Sequence, residues 1–145
     1  MNIFFDTSVL VAACVRDHPH HVQAFPALRR VVARTDRGFI SNHSIAEIYS
    51  VLTRLPIVPR IHPAEAARIV TDTVLQNLET VPLAKRDYLE ALTAVQHGGW
   101  IGAKIYDALL LMCAAKCGAD RIYTFNLGDF RALAPASLQS KICAP

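Results

Sequence analysis

Four acidic residues, far apart in the chain, have the residue types and surroundings of a metal-dependent hydrolytic site. Asp107 interrupts a strongly apolar segment, where a carboxylate is costly to bury unless it is paired, protonated or bound to a metal. Asp6, Glu47 and Asp129 follow or flank strand-like runs. Carboxylates that converge repel one another, and a divalent cation cancels that repulsion. Ligands that are all oxygen suit Mg²⁺ or Mn²⁺ better than zinc, and such an ion can activate water against a phosphodiester.

Each acid also has an ordinary structural interpretation. Asp6 could cap the helix that follows it, and Glu47 completes a capping box with the serine three residues earlier. Asp107 could pair with Lys104, one helical turn before it, and Asp129 could be a simple turn residue. The four acids together are much harder to explain by chance than any one of them.

The elements that carry these acids alternate between strands and helices. Apolar runs predict strands at residues 2–5, 38–40, 79–83 and 121–125. Periodicity and end signals predict helices at 7–15, 22–34, 44–55, 64–76, 85–97 and 102–116, with a disturbance at Pro26, a loop over 16–21 and a loop through Asp129. This order predicts an α/β fold with a parallel sheet between helical layers. Ligands bind beyond the carboxyl ends of such strands, and Asp6, Glu47 and Asp129 fall at that edge.

Composition indicates one domain spanning residues 1–145, with no linker or internal repeat. The chain is 52% hydrophobic, with a mean hydropathy of +0.27, so we expect some exposed apolar surface for self-association or a partner. No apolar run reaches the roughly 20 residues that cross a bilayer, and the start lacks signal-peptide features, so we expect a cytoplasmic protein. The net charge of +3 is compatible with a nucleic-acid partner. Four cysteines without a CxxC pair indicate free thiols.

Five segments, in the same order and at similar spacing, resemble the PIN-domain family over nearly the whole chain. They are FDTSVL (5–10), SxxEI (44–48), GxxxYDAL (102–109), AxxGA (115–119) and TFNLGDF (124–130). Within that family the single-domain form resembles the VapC toxins of toxin–antitoxin pairs. The resemblance implies a three-layer α/β/α PIN-like domain, Mg²⁺- or Mn²⁺-dependent cleavage of an RNA substrate, a homodimer, and a cognate VapB-like antitoxin that covers the active site.

The same resemblance assigns roles to individual residues. Asp6 and Asp107 become the principal metal ligands, and Glu47 completes the ligand set or holds a metal-bound water. The family's fourth acid falls within 126–129. Because Asn126 stands nearest the strand, the fourth carboxylate is either Asp129 or absent, which leaves one or two metal ions open.

Other polar residues near these motifs have open roles. Thr7, Ser8 and Thr124 could support the ligands or contact phosphate, or they could be ordinary capping and strand residues. His18, His20 and His21, around Pro19, favour a polar loop that could touch RNA over a metal site, since no capping carboxylate and no cysteine accompanies them.

Three other functions compete with a toxin ribonuclease. One is a stand-alone PIN nuclease in RNA processing, and another is a non-catalytic interaction module on the same fold, which the presence of the acids disfavours. A phosphotransferase with Asp6 as the nucleophile is disfavoured too, because Ser8 stands where haloacid-dehalogenase-like enzymes have a second aspartate.

Overall fold

Five parallel strands form the central sheet of this computed structural model, which describes residues 1–145. The strands are β1 (Asn2–Phe5), β2 (Arg37–Ser41), β3 (Leu78–Val81), β4 (Arg121–Tyr123) and β5 (Ile142–Cys143), and their order across the sheet is β3-β2-β1-β4-β5. β1 is central and pairs with both β2 and β4. β2 and β3 are added on one side of β1, and β4 and β5 on the other. The strand order therefore reverses at β1, and ligand crevices of open parallel sheets form at such a point.

Helices cover both faces of the sheet. They are α1 (Thr7–Cys14), α2 (His21–Val32), α3 (Asn42–Arg54), α4 (Pro63–Arg68), α5 (Lys85–His97), α6 (Lys104–Lys116), α7 (Leu127–Leu133) and α8 (Ala136–Gln139), with a π-helical segment at Ile69–Leu75. Alternation along β1 sends Ile3 and Phe5 into one apolar cluster with α1 to α4, and Phe4 into a second cluster with α6 to α8. The predicted three-layer α/β/α fold is therefore confirmed.

Several predicted element boundaries were wrong. Pro26 lies inside an uninterrupted α2, because buried residues on both sides of it, Ala24 and Leu28, anchor that helix to the core. The single helix predicted over 64–76 is α4 followed by the π-helical segment. The loop predicted through Asp129 is already α7 from Leu127 onwards. α8 and the two-residue β5 were not predicted, since neither is long enough to show periodicity.

The apolar surplus of the sequence is partly exposed, as its composition predicts. Tyr88, Leu89 and Leu92 on α5 are each about half exposed, and Val22 and Phe25 are exposed on α2. None of the helices combines the length and the apolar character that crossing a membrane requires. The exposed apolar residues therefore lie on amphipathic helices that also pack against the sheet.

Candidate active site

Three of the four predicted acids line one open cavity of about 400 Å³ at the carboxyl edge of the sheet. Asp6 follows β1, Glu47 lies on α3 after β2, and Asp107 lies in the first turn of α6. The remaining lining residues are Thr7, Ser8, Val11, His18, His20, Val51, Phe125 and Asn126. Asp129 lines an adjoining cavity, which shares Glu47, Asp107 and Asn126 with the first. The topology thus brings all four acids to one edge.

Asp6 stands at the N-cap position of α1, but hydroxyl groups hold its side chain, which makes no capping bond to the helix. Its Oδ2 accepts hydrogen bonds from Ser8 Oγ at 2.6 Å and from Thr124 Oγ1 at 2.8 Å, and the side chain makes no capping bond. Burial raises the pKa of Asp6, and Glu47 adds to that effect, although the two hydroxyl donors oppose it. The predicted capping role is therefore confirmed for the position of Asp6 and not for its side chain, and Oδ1 remains without a hydrogen bond beside the cavity.

The side chain of Glu47 is oriented by a residue at the start of α1 and not by its own helix. Thr7 Oγ1 donates a hydrogen bond of 2.7 Å to Glu47 Oε2 across 40 residues of sequence. The capping box predicted for this helix does not form, because Ser41 is the cap and its Oγ accepts from the Ser44 amide at 3.1 Å. Thr7, one of the residues with an open role, therefore supports an acid of the cavity.

Asp107 carries the least compensated charge of the site. Burial, followed by the nearby Asp6 carboxylate, raises the pKa of Asp107 to about 6. Asp129 and Glu47 act in the same direction, and only Lys104 opposes them. The pairing of Lys104 with Asp107 suggested by their spacing does not form, because Lys104 Nζ contacts Asp129 Oδ1 instead. An acid in this setting is stabilised by a cation.

Asp129 differs from the other three acids because both of its oxygens are engaged. Oδ1 pairs with Lys104, and Oδ2 accepts from Asn126 Nδ2 at 2.9 Å. Lys104, followed by Asn126, holds the pKa of Asp129 below its usual value. Asn126, predicted as a possible member of the site, therefore acts on Asp129 through its amide.

Two stacked aromatic pairs flank the acids. His20 stacks on Phe125 with ring centroids 4.6 Å apart, and His43 lies parallel to Tyr106 at 5.8 Å and 3°. Tyr106 is 54% exposed and lines the adjoining cavity. The sequence analysis did not predict Tyr106 or His43 as site residues. The position of Tyr106 directly before the predicted ligand Asp107 is the one feature of the sequence that could have indicated it.

The histidine loop contributes two of its three members to the site. His18 and His20 line the cavity, and their rings lie 5.8 Å apart. His21 begins α2, where its Nδ1 lies 2.9 Å from the Ala12 carbonyl oxygen and its ring stacks on Phe25. His18 and His20 therefore form part of the cavity wall, and His21 does not.

The donor set fits a hard divalent cation that keeps much of its water. After the hydrogen bonds above, the free carboxylate oxygens are Asp6 Oδ1, Glu47 Oε1 and both oxygens of Asp107. No group of three His, Cys, Asp or Glu side chains stands close enough together to enclose an ion. Mg²⁺ commonly takes one or two carboxylates and retains several waters, which suits this open arrangement.

Comparisons with known proteins give a consistent result. The family model described as PIN domain matches residues 3–134. Ribonuclease VapC27 of Mycobacterium tuberculosis is 34% identical over 117 residues, which cover 79% of this chain and 78% of the relative.

Two solved structures share the fold. The first is M. tuberculosis VapC20, described as a sarcin-ricin loop cleaving toxin, with a TM-score of 0.66 and 20% identity over 88% of this chain and 92% of the other. The second is VapBC2 from Rickettsia felis, bound to a DNA fragment from their promoter. Its TM-score is 0.60 at 22% identity, over 88% of this chain and 89% of the other.

Proposed function

Since this chain belongs to the PIN-domain family, we propose that it is a Mg²⁺- or Mn²⁺-dependent endoribonuclease of the VapC type. The observation that carries the proposal is the meeting of Asp6, Glu47 and Asp107 in one open cavity, where burial and mutual repulsion raise the pKa of Asp107 to about 6. A site that accumulates negative charge in this way needs a cation before it can approach a phosphodiester. The name of the VapC27 relative supports the reaction class.

In this proposal, Asp6 and Asp107 hold the divalent ion through their free oxygens. When bound, the ion supplies an activated water and neutralises charge on the phosphodiester. Ser8 and Thr124 fix Asp6 by donating to its Oδ2, so that Oδ1 is available to the cavity. Thr7 fixes Glu47 in the same manner, and the free Oε1 of Glu47 accepts a hydrogen bond from the attacking water. The hydroxyl groups thus preorganise the acids.

The aromatic pairs support an RNA substrate with unpaired nucleotides. The pair of His20 and Phe125 lies on one side of the acids, and the pair of His43 and Tyr106 lies on the side of the adjoining cavity. Proteins that read single-stranded RNA commonly stack splayed bases on aromatic side chains. We propose that nucleotides on either side of the cleaved phosphate stack on these two pairs.

The proposed partners are a VapB-like antitoxin and a second copy of the chain. VapBC2 of R. felis shares the fold, which is consistent with an antitoxin partner for this chain. The half-exposed apolar residues Tyr88, Leu89 and Leu92 on α5 give a surface that self-association would bury. A neighbouring gene for a short DNA-binding antitoxin would separate this function from a stand-alone PIN nuclease.

The decisive experiment is expression in cells of wild type and Asp107→Asn, with mapping of the cleaved RNA ends. We expect growth arrest and discrete RNA cuts for wild type only. Asp72→Asn is a matched control, because Asp72 is an exposed acid on the π-helical segment outside the cavity, and we expect it to behave as wild type. Equal toxicity of Asp107→Asn and wild type would refute the catalytic assignment.

A further inference from the structure

A lysine side chain enters the acidic site from the first residue of α6. Lys104 lines the adjoining cavity together with Glu47, Asp107, Asn126 and Asp129, and its side chain is only 25% exposed. Lysine is normally among the most exposed residue types, because its ammonium group is strongly hydrated. The ammonium group of Lys104 therefore contacts the Asp129 carboxylate in place of part of its hydration shell.

We propose that the Lys104 ammonium group serves as the second cation of the site, so that the protein binds one divalent ion per chain and Asp129 is not a metal ligand. This inference rests on the proposed function, in which Asp6 and Asp107 hold that one ion. It assigns Lys104 and Asp129 a positioning role and leaves the metal chemistry to the other three acids.

Both carboxylate oxygens of Asp129 already have a partner in the site. Lys104 contacts Oδ1 and the Asn126 amide donates to Oδ2, so the charge of Asp129 is already balanced by an ammonium group and gains less from a metal ion than an unpaired acid does. Asp107, by contrast, has no ion pair, and both of its oxygens are free. The structure thus separates a satisfied acid from an unsatisfied one within the same site.

The formal charges of the site also favour a single divalent ion. The four carboxylates of Asp6, Glu47, Asp107 and Asp129 carry a formal charge of −4, and Lys104 reduces it to −3. One divalent ion brings the site to −1. A second divalent ion would bring it to +1 and would place two dications beside an ammonium group, whose mutual repulsion is unfavourable at close range. The two arrangements lie equally far from neutrality, and the repulsion among three cations makes the arrangement with a single divalent ion the more favourable one.

The residue type at position 126 agrees with this arrangement. Asn126 donates its amide to Asp129 and adds no negative charge, whereas a carboxylate there would repel Asp129 and add a further ligand. With an amide on one oxygen and an ammonium group on the other, Asp129 is a hydrogen-bonded anchor for Lys104. The anchor fixes the ammonium group at the edge of the metal-binding acids.

The inference is tested by counting bound Mn²⁺ on the metal-loaded chain without RNA, using the electron paramagnetic resonance signal of free Mn²⁺. We expect one ion for wild type, one for Lys104→Arg and two for Lys104→Met. Lys85→Met removes an exposed lysine outside the site and should also bind one. Two ions on wild type, or one ion on a folded Lys104→Met, would overturn the inference and leave the proposed function intact.

The double variant Lys104→Met/Asp129→Asn gives a second, independent test if Lys104→Met alone does not fold. It keeps the formal charge of the site and leaves no lysine free to pair with Asp107, so it should bind one Mn²⁺ with the affinity of wild type, because Asp129 is not a ligand in this arrangement. A loss of affinity of about tenfold or more, which corresponds to about 1.4 kcal/mol, would overturn the inference. Failure of wild type to bind any Mn²⁺ would instead overturn the proposed metal dependence on which the inference rests.

Discussion

Replacing Asp107 by asparagine should make the metal-free protein more stable at neutral pH while abolishing its activity. The carboxylate of Asp107 is partly buried beside Asp6, and these surroundings raise its pKa from 3.8 to about 6. Ionised Asp107 therefore destabilises the folded protein, because the native state holds its proton more tightly than the unfolded chain does. Asparagine has a similar shape and carries no charge, so the variant removes this cost.

The pH dependence follows from the sign of that change. Between pH 3.8 and about 6 the native state binds more protons than the unfolded state at this position, so wild-type stability falls as pH rises through this window. Above pH 6 the cost is complete and constant. A change of one pKa unit is worth about 1.4 kcal/mol, which gives about 3 kcal/mol for an unscreened group. Because Asp107 is partly exposed, solvent screening reduces the expected gain to about 1 kcal/mol.

The assay is urea unfolding of wild type and Asp107→Asn in EDTA, at pH 4 and at pH 7.5. We expect the variant to be more stable by about 1 kcal/mol at pH 7.5, and the difference to shrink towards zero at pH 4. Asp72→Asn, at an exposed acid, should show no such pH-dependent gain. Mg²⁺ should stabilise wild type and have much less effect on Asp107→Asn, because a ligand stabilises only the state that binds it. An Asp107→Asn protein that is less stable than wild type at pH 7.5 would refute the repulsion argument.

Two further predictions test the substrate site and the core. Tyr106→Ala should lower kcat/KM for RNA by about tenfold or more, because base stacking contributes about 1–3 kcal/mol per base, while Mn²⁺ binding stays unchanged; equal RNA cleavage would exclude the stacking role. Gly38→Ala should destabilise the fold by about 1–3 kcal/mol in chemical denaturation, since an added Cβ would lie 2.9 Å from side-chain atoms of both Val31 and Leu78. Gly128→Ala, with no atom within 4 Å of the added Cβ, is its control and should lose no stability.

The sequence predicts the layered fold well because the signals for it are local. The apolar run at Asn2–Phe5 and the helical periodicity over Lys85–His97 each depend on neighbours within a few positions, and both elements form where they were predicted. β5 escaped prediction because a two-residue strand exists only through its pairing with β4. The π-helical segment escaped as well, since its apolar spacing reads as an ordinary helix.

The convergence of the acids was predictable from topology, but their hydrogen-bond partners were not. Strand ends of a parallel sheet meet at one edge, and this rule brings Asp6 towards Glu47 and Asp129. Asp107 follows no strand and was predicted from its apolar flanks and the family resemblance. The bond from Thr7 to Glu47 spans 40 residues, and the bond from Thr124 to Asp6 spans 118. Short-range rules favoured helix-end amides as partners of both acids. The side chain of Asp6 instead accepts from the hydroxyls of Ser8 and Thr124, and Glu47 makes no capping box because Ser41 caps α3.

The partner of Lys104 affects the electrostatics of the neighbouring acids as well as the local structure. Local spacing on α6 favours a pair with Asp107, which would have neutralised the acid that we propose binds the metal ion. The fold instead directs the ammonium group to Asp129, across to α7, and leaves Asp107 with a raised pKa and two free oxygens. A lysine one turn from an acid can thus leave that acid unpaired by binding a different one. The unpaired charge on Asp107 then makes the folded site less stable and more able to bind a cation.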